Sequence, residues 1–127
     1  MGEDFYVLED LNVWKLCREF KIELSKTVCK FPPEEKYRLT DQIIRASRSI
    51  TNNIAEGYGR YHFQENIQYL RQSRGSLYEC IDHLYCAFDD GYISIGKFNL
   101  LKEKSTVCLK LLNGYIKYLK DRKLSEQ

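Results

Sequence analysis

The sequence predicts an all-α fold, an antiparallel up-and-down four-helix bundle, and three observations carry that prediction. Apolar residues recur every three or four positions over four long stretches, while only two prolines and seven glycines punctuate 127 residues. No segment alternates with period two for long enough to argue a strand. Helices at about 10–30, 33–56, 62–90 and 94–121 with short connections leave neighbours antiparallel, within one domain covering 1–127.

Leu11, Trp14, Cys17, Phe20, Leu24, Val28 and Phe31 form the apolar stripe of the first helix, with Asp10 as its expected N-cap. Ahead of it, Phe5, Tyr6, Val7 and Leu8 are placed to pack over the end of the bundle. The Lys15, Arg18, Glu19, Lys21, Glu23 and Lys26 side is mixed in sign and reads as a solvated face. Pro32-Pro33 ends that helix, because neither proline continues the hydrogen-bond ladder. Glu34 and Glu35 then suit the positive end of the second helix.

Ile43, Ala46, Ile50 and Ile54 face the core from the second helix. At about 100° per residue, Arg38, Asp41, Gln42, Arg45, Arg48, Ser49, Asn52, Asn53 and Glu56 gather on its other side. Thr51-Asn52-Asn53 is unexpected mid-helix, since such side chains compete for backbone hydrogen bonds. Gly57 occupies the expected C-cap position.

Phe63, Ile67, Leu70, Leu77, Ile81, Leu84 and Phe88 mark the third helix, after a Tyr61-His62 turn that offers no good cap. Gly75 between Ser73 and Ser76 predicts a close helix approach there. Gly91 is the expected stop and Ser94 the cap of the fourth helix. That helix buries Phe98, Leu101, Cys108, Leu112, Tyr115 and Leu119, widened by Leu100, Val107 and Leu111. Residues 121–127 read as a frayed tail.

A hydrophobic fraction of 43% and a charged fraction of 30% are those of a globular domain. The absence of a leading signal peptide and of any run near ~18 apolar residues leads to the expectation of a cytoplasmic protein off the membrane. Its five cysteines are then reduced thiols.

Several chemistries lack their residues. A di-iron bundle needs two Glu-x-x-His motifs, but His83 follows Glu79 by four residues and His62 lies in a turn. Cys80-x-x-His83-x-x-Cys86 fans widely over a helix, unlike the knuckles that hold zinc. No Cys-x-x-Cys, phosphate loop or dinucleotide fingerprint occurs, and no nucleophile comes with a base. The expectation is therefore no enzyme, no catalytic residue, no metal and no cofactor.

Charge is uneven, although the net value is only +2. Between Lys36 and Arg74 seven basic residues face three acids, and between Lys110 and Lys123 five face Asp121. The first excess is mostly arginine, whose planar fork suits phosphates and base edges. Candidate nucleic-acid contacts are Arg45, Arg48, Arg60, Arg71 and Arg74, with Lys117, Lys120 and Lys123 as a second patch. Against this stands a plainer account, in which Arg45 pairs with Asp41 and Asn52 with Glu56 on a wet face. Seventeen aromatics, Tyr58, Tyr61, Tyr69, Tyr78 and Tyr85 among them, exceed what one small core holds and predict a homo-oligomer.

The run from Gln42 to Gly57, followed by Gly59-Arg60, resembles the signature of the four-helix bundle proteins encoded in 23S rRNA intervening sequences. Asp10-Leu11 with Val13-Trp14, Phe31-Pro32, Gly75-Ser76-Leu77 with Glu79, and Gly91-Tyr92-Ile93 extend the resemblance over nearly the whole chain. Tyr61-His62 departs from it, standing where the family often carries a Ser or Thr cap. The resemblance implies a non-enzymatic homopentameric ring. It also implies a distant relationship to the accessory variability determinant protein of diversity-generating retroelements, a basic pentamer that binds nucleic acid and a reverse transcriptase. On that ground Asn52, Asn53, Glu56 and Gly57 are expected to be structural or interface residues. The partners implied are further copies of the chain and RNA or DNA. The alternative is a scaffold contacting a protein, such as a reverse transcriptase, without touching nucleic acid.

Overall fold

In a computed structural model, which describes residues 7–126, four helices form the predicted bundle. They are α1 (Asn12–Val28), α2 (Leu39–Tyr58), α3 (Phe63–Asp89) and α4 (Ile95–Ser125), and the described residues contain no strand. Short 3₁₀ turns at Leu8–Asp10 and Pro33–Glu35 precede α1 and α2. The helices touch in the cyclic order α1, α2, α3, α4 and back to α1, with α2 and α3 in the most extensive contact. Phe20, Leu24, Ile50, Ile54, Leu70, Leu77, Leu101 and Leu112 are fully buried at the centre. No helix among the described residues is long and apolar enough to cross a membrane.

Several local expectations give way to tertiary demands. Asp10 does not cap α1; it lies in the preceding 3₁₀ turn, and Leu11 holds the cap position without a side-chain bond. Val13 takes the core position expected of Trp14, which is half-buried. The second helix starts at Leu39 instead of Pro33, because the extra turn is tied down from elsewhere. Glu35 accepts the Leu39 amide at 3.3 Å and the Tyr92 hydroxyl at 2.6 Å, joining the α3–α4 connection to the start of α2.

Gly57 is not a C-cap. It is a buried position inside α2, where an added Cβ would lie 2.6 Å from Asn66 Oδ1 and 2.9 Å from Tyr69 Cβ. At Gly75 nothing lies within 4 Å of an added Cβ, and the close approach expected at that level is made by Ser73 and Ser76, which bond across to α2. The left-handed residue of the α2–α3 turn is Tyr61, at φ 56° and 84% exposed.

Other signals hold. Gly91 has φ 78°, and the amides of Gly91 and Tyr92 bond the carbonyls of Phe88 and Ala87, a Schellman stop. Ser94 caps α4 by accepting the Lys97 amide at 3.1 Å. The supposed tail stays helical to Ser125, and Leu100 and Val107 stand exposed instead of widening the core. The expected packing of Phe5 and Tyr6 lies outside the described residues.

Candidate nucleic-acid interface

Thr51 and Asn53, anomalous as helix residues, are both used by the fold. Thr51 is buried and bonds the Arg48 carbonyl. Asn53 donates to the carbonyl and hydroxyl of Ser49 at 2.9 and 3.0 Å, and the Ser49 hydroxyl lies 2.7 Å from that of Ser76 on α3. One turn away the Ser73 hydroxyl donates to the Ile50 carbonyl at 2.7 Å. Small hydroxylated residues thus bring α2 and α3 together along a polar seam. Asn52 is different. It is exposed and makes no hydrogen bond among the described residues, although asparagine mid-helix costs roughly 0.5 kcal/mol relative to alanine.

Asn52 belongs to a shallow groove of about 570 Å³ between α1 and α2, lined also by Trp14, Lys21, Arg45, Arg48, Ser49, Thr51 and Ala55. Three cations and no carboxylate line it. Arg45 pairs with Asp41 at 3.2 Å, as the plainer account expected, but its side chain is 80% exposed and such a pair is weak. Arg48 and Lys21 have no ion pair or hydrogen bond among the described residues. Arg18 extends the cationic rim, its guanidinium carbon 5.8 Å from the centroid of the Trp14 ring.

The remaining candidates do not share that surface. Arg71, Lys120 and Lys123 line a second groove of about 380 Å³ between α3 and α4, with Gln64, Ile67 and Leu124. The cyclic order of the helices sets it on the opposite flank of the bundle from the first groove. Lys123 donates to Gln64, while Arg71 and Lys120 are unpaired among the described residues. Arg60 is occupied at the α2–α3 turn: Glu56 at 3.3 Å, Glu65 at 3.8 Å and the Tyr69 hydroxyl at 2.9 Å hold it over the Tyr69 ring. Arg74 donates to Asn113 at 2.7 Å, and Lys117 pairs with Asp121 at 3.0 Å. Glu56 and Gly57 serve that same turn, Glu56 through Arg60 and Gly57 by admitting α3.

The thiols occupy separate environments. Cys80 is buried, His83 half-buried 3.9 Å from Glu79, and Cys86 exposed, so the sequence cluster faces three ways. Burial pushes the Cys80 thiol up to about 12. A hydrogen bond with Cys108, then burial, raises Cys17.

The model of the 23S rRNA-intervening sequence protein family matches residues 9–114. The chain belongs to that family. Among solved structures it is similar to a protein of unknown function from the S23 ribosomal protein family of Bacteroides thetaiotaomicron VPI-5482. That similarity has 24% identity and a TM-score of 0.76, covering 83% of this chain and 98% of the other, and it shows a shared fold. A search of curated proteins finds no match.

In this member of the 23S rRNA-intervening sequence family, reading the sequence missed Trp14, Arg18 and Lys21 as site residues. The pattern puts Trp14 in the apolar stripe of α1 and Arg18 and Lys21 on a face whose mixed signs read as solvated. The signal available was a single tryptophan two turns from Lys21 on a helix adjoining the arginine helix, and only packing aims those two at one groove, with Arg18 against the indole.

Proposed function

We propose that this protein is a non-enzymatic, self-associating cytoplasmic protein that binds RNA or other nucleic acid through the α1–α2 groove. The observation that carries the reading is the convergence of Lys21, Arg45 and Arg48 on one groove with no carboxylate in its lining. Lys21 and Arg48 are spared from internal pairing among the described residues and Arg45 holds only an exposed pair with Asp41, so all three can neutralise phosphates. The unused amide of Asn52 beside them adds a donor and an acceptor. The α3–α4 groove, with Arg71, Lys120 and Lys123, is a second contact for the backbone.

Self-association is supported by α4. Leu100, Val107, Leu111, Gly114 and Tyr118 step along one flank at intervals of seven, four, three and four, the spacing of a helix-packing seam. Leu100, Val107 and Tyr118 are each more than two-fifths exposed, and an added Cβ at Gly114 meets nothing within 4 Å. A ring of five, as the resemblance implies, repeats the grooves and adds their fields, which compensates a net charge of only +2.

A second reading has its own observation. Leu124, 69% exposed, gives the α3–α4 groove an apolar edge beside its cations, a mixture suited to an acidic amphipathic segment of a protein partner such as a reverse transcriptase.

An Arg45→Glu/Arg48→Glu variant tests the first reading. Affinity for a labelled oligonucleotide should fall about tenfold or more at low salt, with oligomer mass by light scattering unchanged. If the variant dissociates the oligomer instead, the arginines are interface residues. Val107→Asp with Tyr118→Asp should yield monomers, and a wild-type protein that is already monomeric defeats the ring.

A further inference from the structure

Trp14 is the only tryptophan in the chain, and it lies half-buried on the α1 wall of the first groove. Arg18 covers part of the indole. Across the groove, Asn52 is the one residue of the Thr51-Asn52-Asn53 run that the fold leaves without a hydrogen bond among the described residues. A phosphate needs donors only, and Lys21, Arg45 and Arg48 already supply them. An amide offers a donor and an acceptor side by side, which matches the edge of a nucleobase. An aromatic face, a free amide and flanking cations within one groove of about 570 Å³ are therefore more than a charged surface requires.

Resting on the nucleic-acid reading above, we infer that the α1–α2 groove takes a single-stranded polynucleotide, with one unpaired base against Trp14 and its edge on Asn52. Lys21, Arg45 and Arg48 hold the phosphates on either side. A duplex is excluded from this arrangement, because its base faces are stacked on one another and none is free for an indole. Single-stranded RNA and DNA share the chemistry.

Because Trp14 is the sole tryptophan, its fluorescence reports on this groove alone. The full chain is titrated at low salt with unpaired RNA and DNA 15-mers, a blunt-ended two-strand duplex at equal phosphate concentration, and inorganic polyphosphate. Both single strands should quench the emission saturably, and a preference between them names the source. Duplex and polyphosphate should leave the emission nearly unchanged. By anisotropy of a labelled strand, Asn52→Ala should weaken single-strand binding about fivefold and Trp14→Leu about tenfold, while Trp14→Phe stays near wild type. Polyphosphate binding should be the same in all three variants. Asn52 is exposed and unbonded, so its variant tests the base contact even if Trp14→Leu unfolds.

Equal quenching by polyphosphate, or single-strand affinity indifferent to Asn52→Ala and Trp14→Leu, overturns the base contact. If Arg45→Glu/Arg48→Glu still abolishes binding in that case, the groove remains a charge site and only this inference fails. If that variant binds every probe as wild type does, both readings fail together.

Discussion

A methyl group added at Gly57 would lie 2.6 Å from Asn66 Oδ1, a buried oxygen with no hydrogen-bond partner among the described residues. Gly57→Ala should therefore destabilise the protein by about 1–3 kcal/mol through overpacking. Gly75→Ala should stabilise it by about 1 kcal/mol, since the helix gains alanine's propensity at no steric cost. Chemical denaturation of the two variants reads both signs. Glu35 supplies a pH-dependent prediction. The Tyr92 hydroxyl, then the Leu39 amide, hold its carboxyl below the ordinary 4.5. That stabilisation is complete above the ordinary value and is lost as pH falls through the depressed one. The same bond raises the Tyr92 phenol to about 12, so in alkali the contribution is complete below 10.0 and lost as pH climbs through the raised value. Melting temperature against pH should be flatter at both ends in Tyr92→Phe. Thiol titration checks the packing itself. Cys29 and Cys86 should react in the native protein and all five cysteines after unfolding. Cys86 should be the slower of the two, because partial burial and then Asp82, Asp90 and Asp89 disfavour its thiolate.

At the scale of elements, the α3–α4 connection was legible in the sequence and the α2–α3 junction was not. Gly91 and Ser94 act through contacts within a few residues of themselves, so their chemistry alone announces the stop and the start. Gly91→Ala should cost about 1–2 kcal/mol for its left-handed backbone, and Ser94→Ala about 1 kcal/mol for the lost cap. Differential scanning calorimetry of the two variants measures both. A glycine at a helix end carries one sequence signal for two causes, chain reversal and close approach. At Gly57 the second cause operates, and it depends on Asn66 and Tyr69 from another helix. Ser73 and Ser76 stand out in the sequence, but their partners, Ile50 and Ser49, are set by how α2 is rotated against α3.

For the whole molecule, helix order decides how charge is distributed. Of the eight cations proposed from sequence, five line two grooves, Arg60 and Arg74 are held internally, and Lys117 makes only an exposed pair with Asp121, so net charge understates the local field. Three cations in the α1–α2 groove predict a slope near −2 in log affinity against log salt for a single strand. That is about a twentyfold loss between 50 and 200 mM salt. A titration series over that range measures it, and a slope near zero removes the phosphate contacts from the site.

The sequence by itself determined four helices, their antiparallel order, most of the core and the family, because apolar periodicity and local caps are written residue by residue. Only the tertiary structure decided which cations share a surface, that Trp14 and Asn52 face one groove, and that Gly57 serves packing. Those facts depend on how one helix is rotated against its neighbour. That rotation is set by the fit of side chains across the interface, and neither helix encodes it alone.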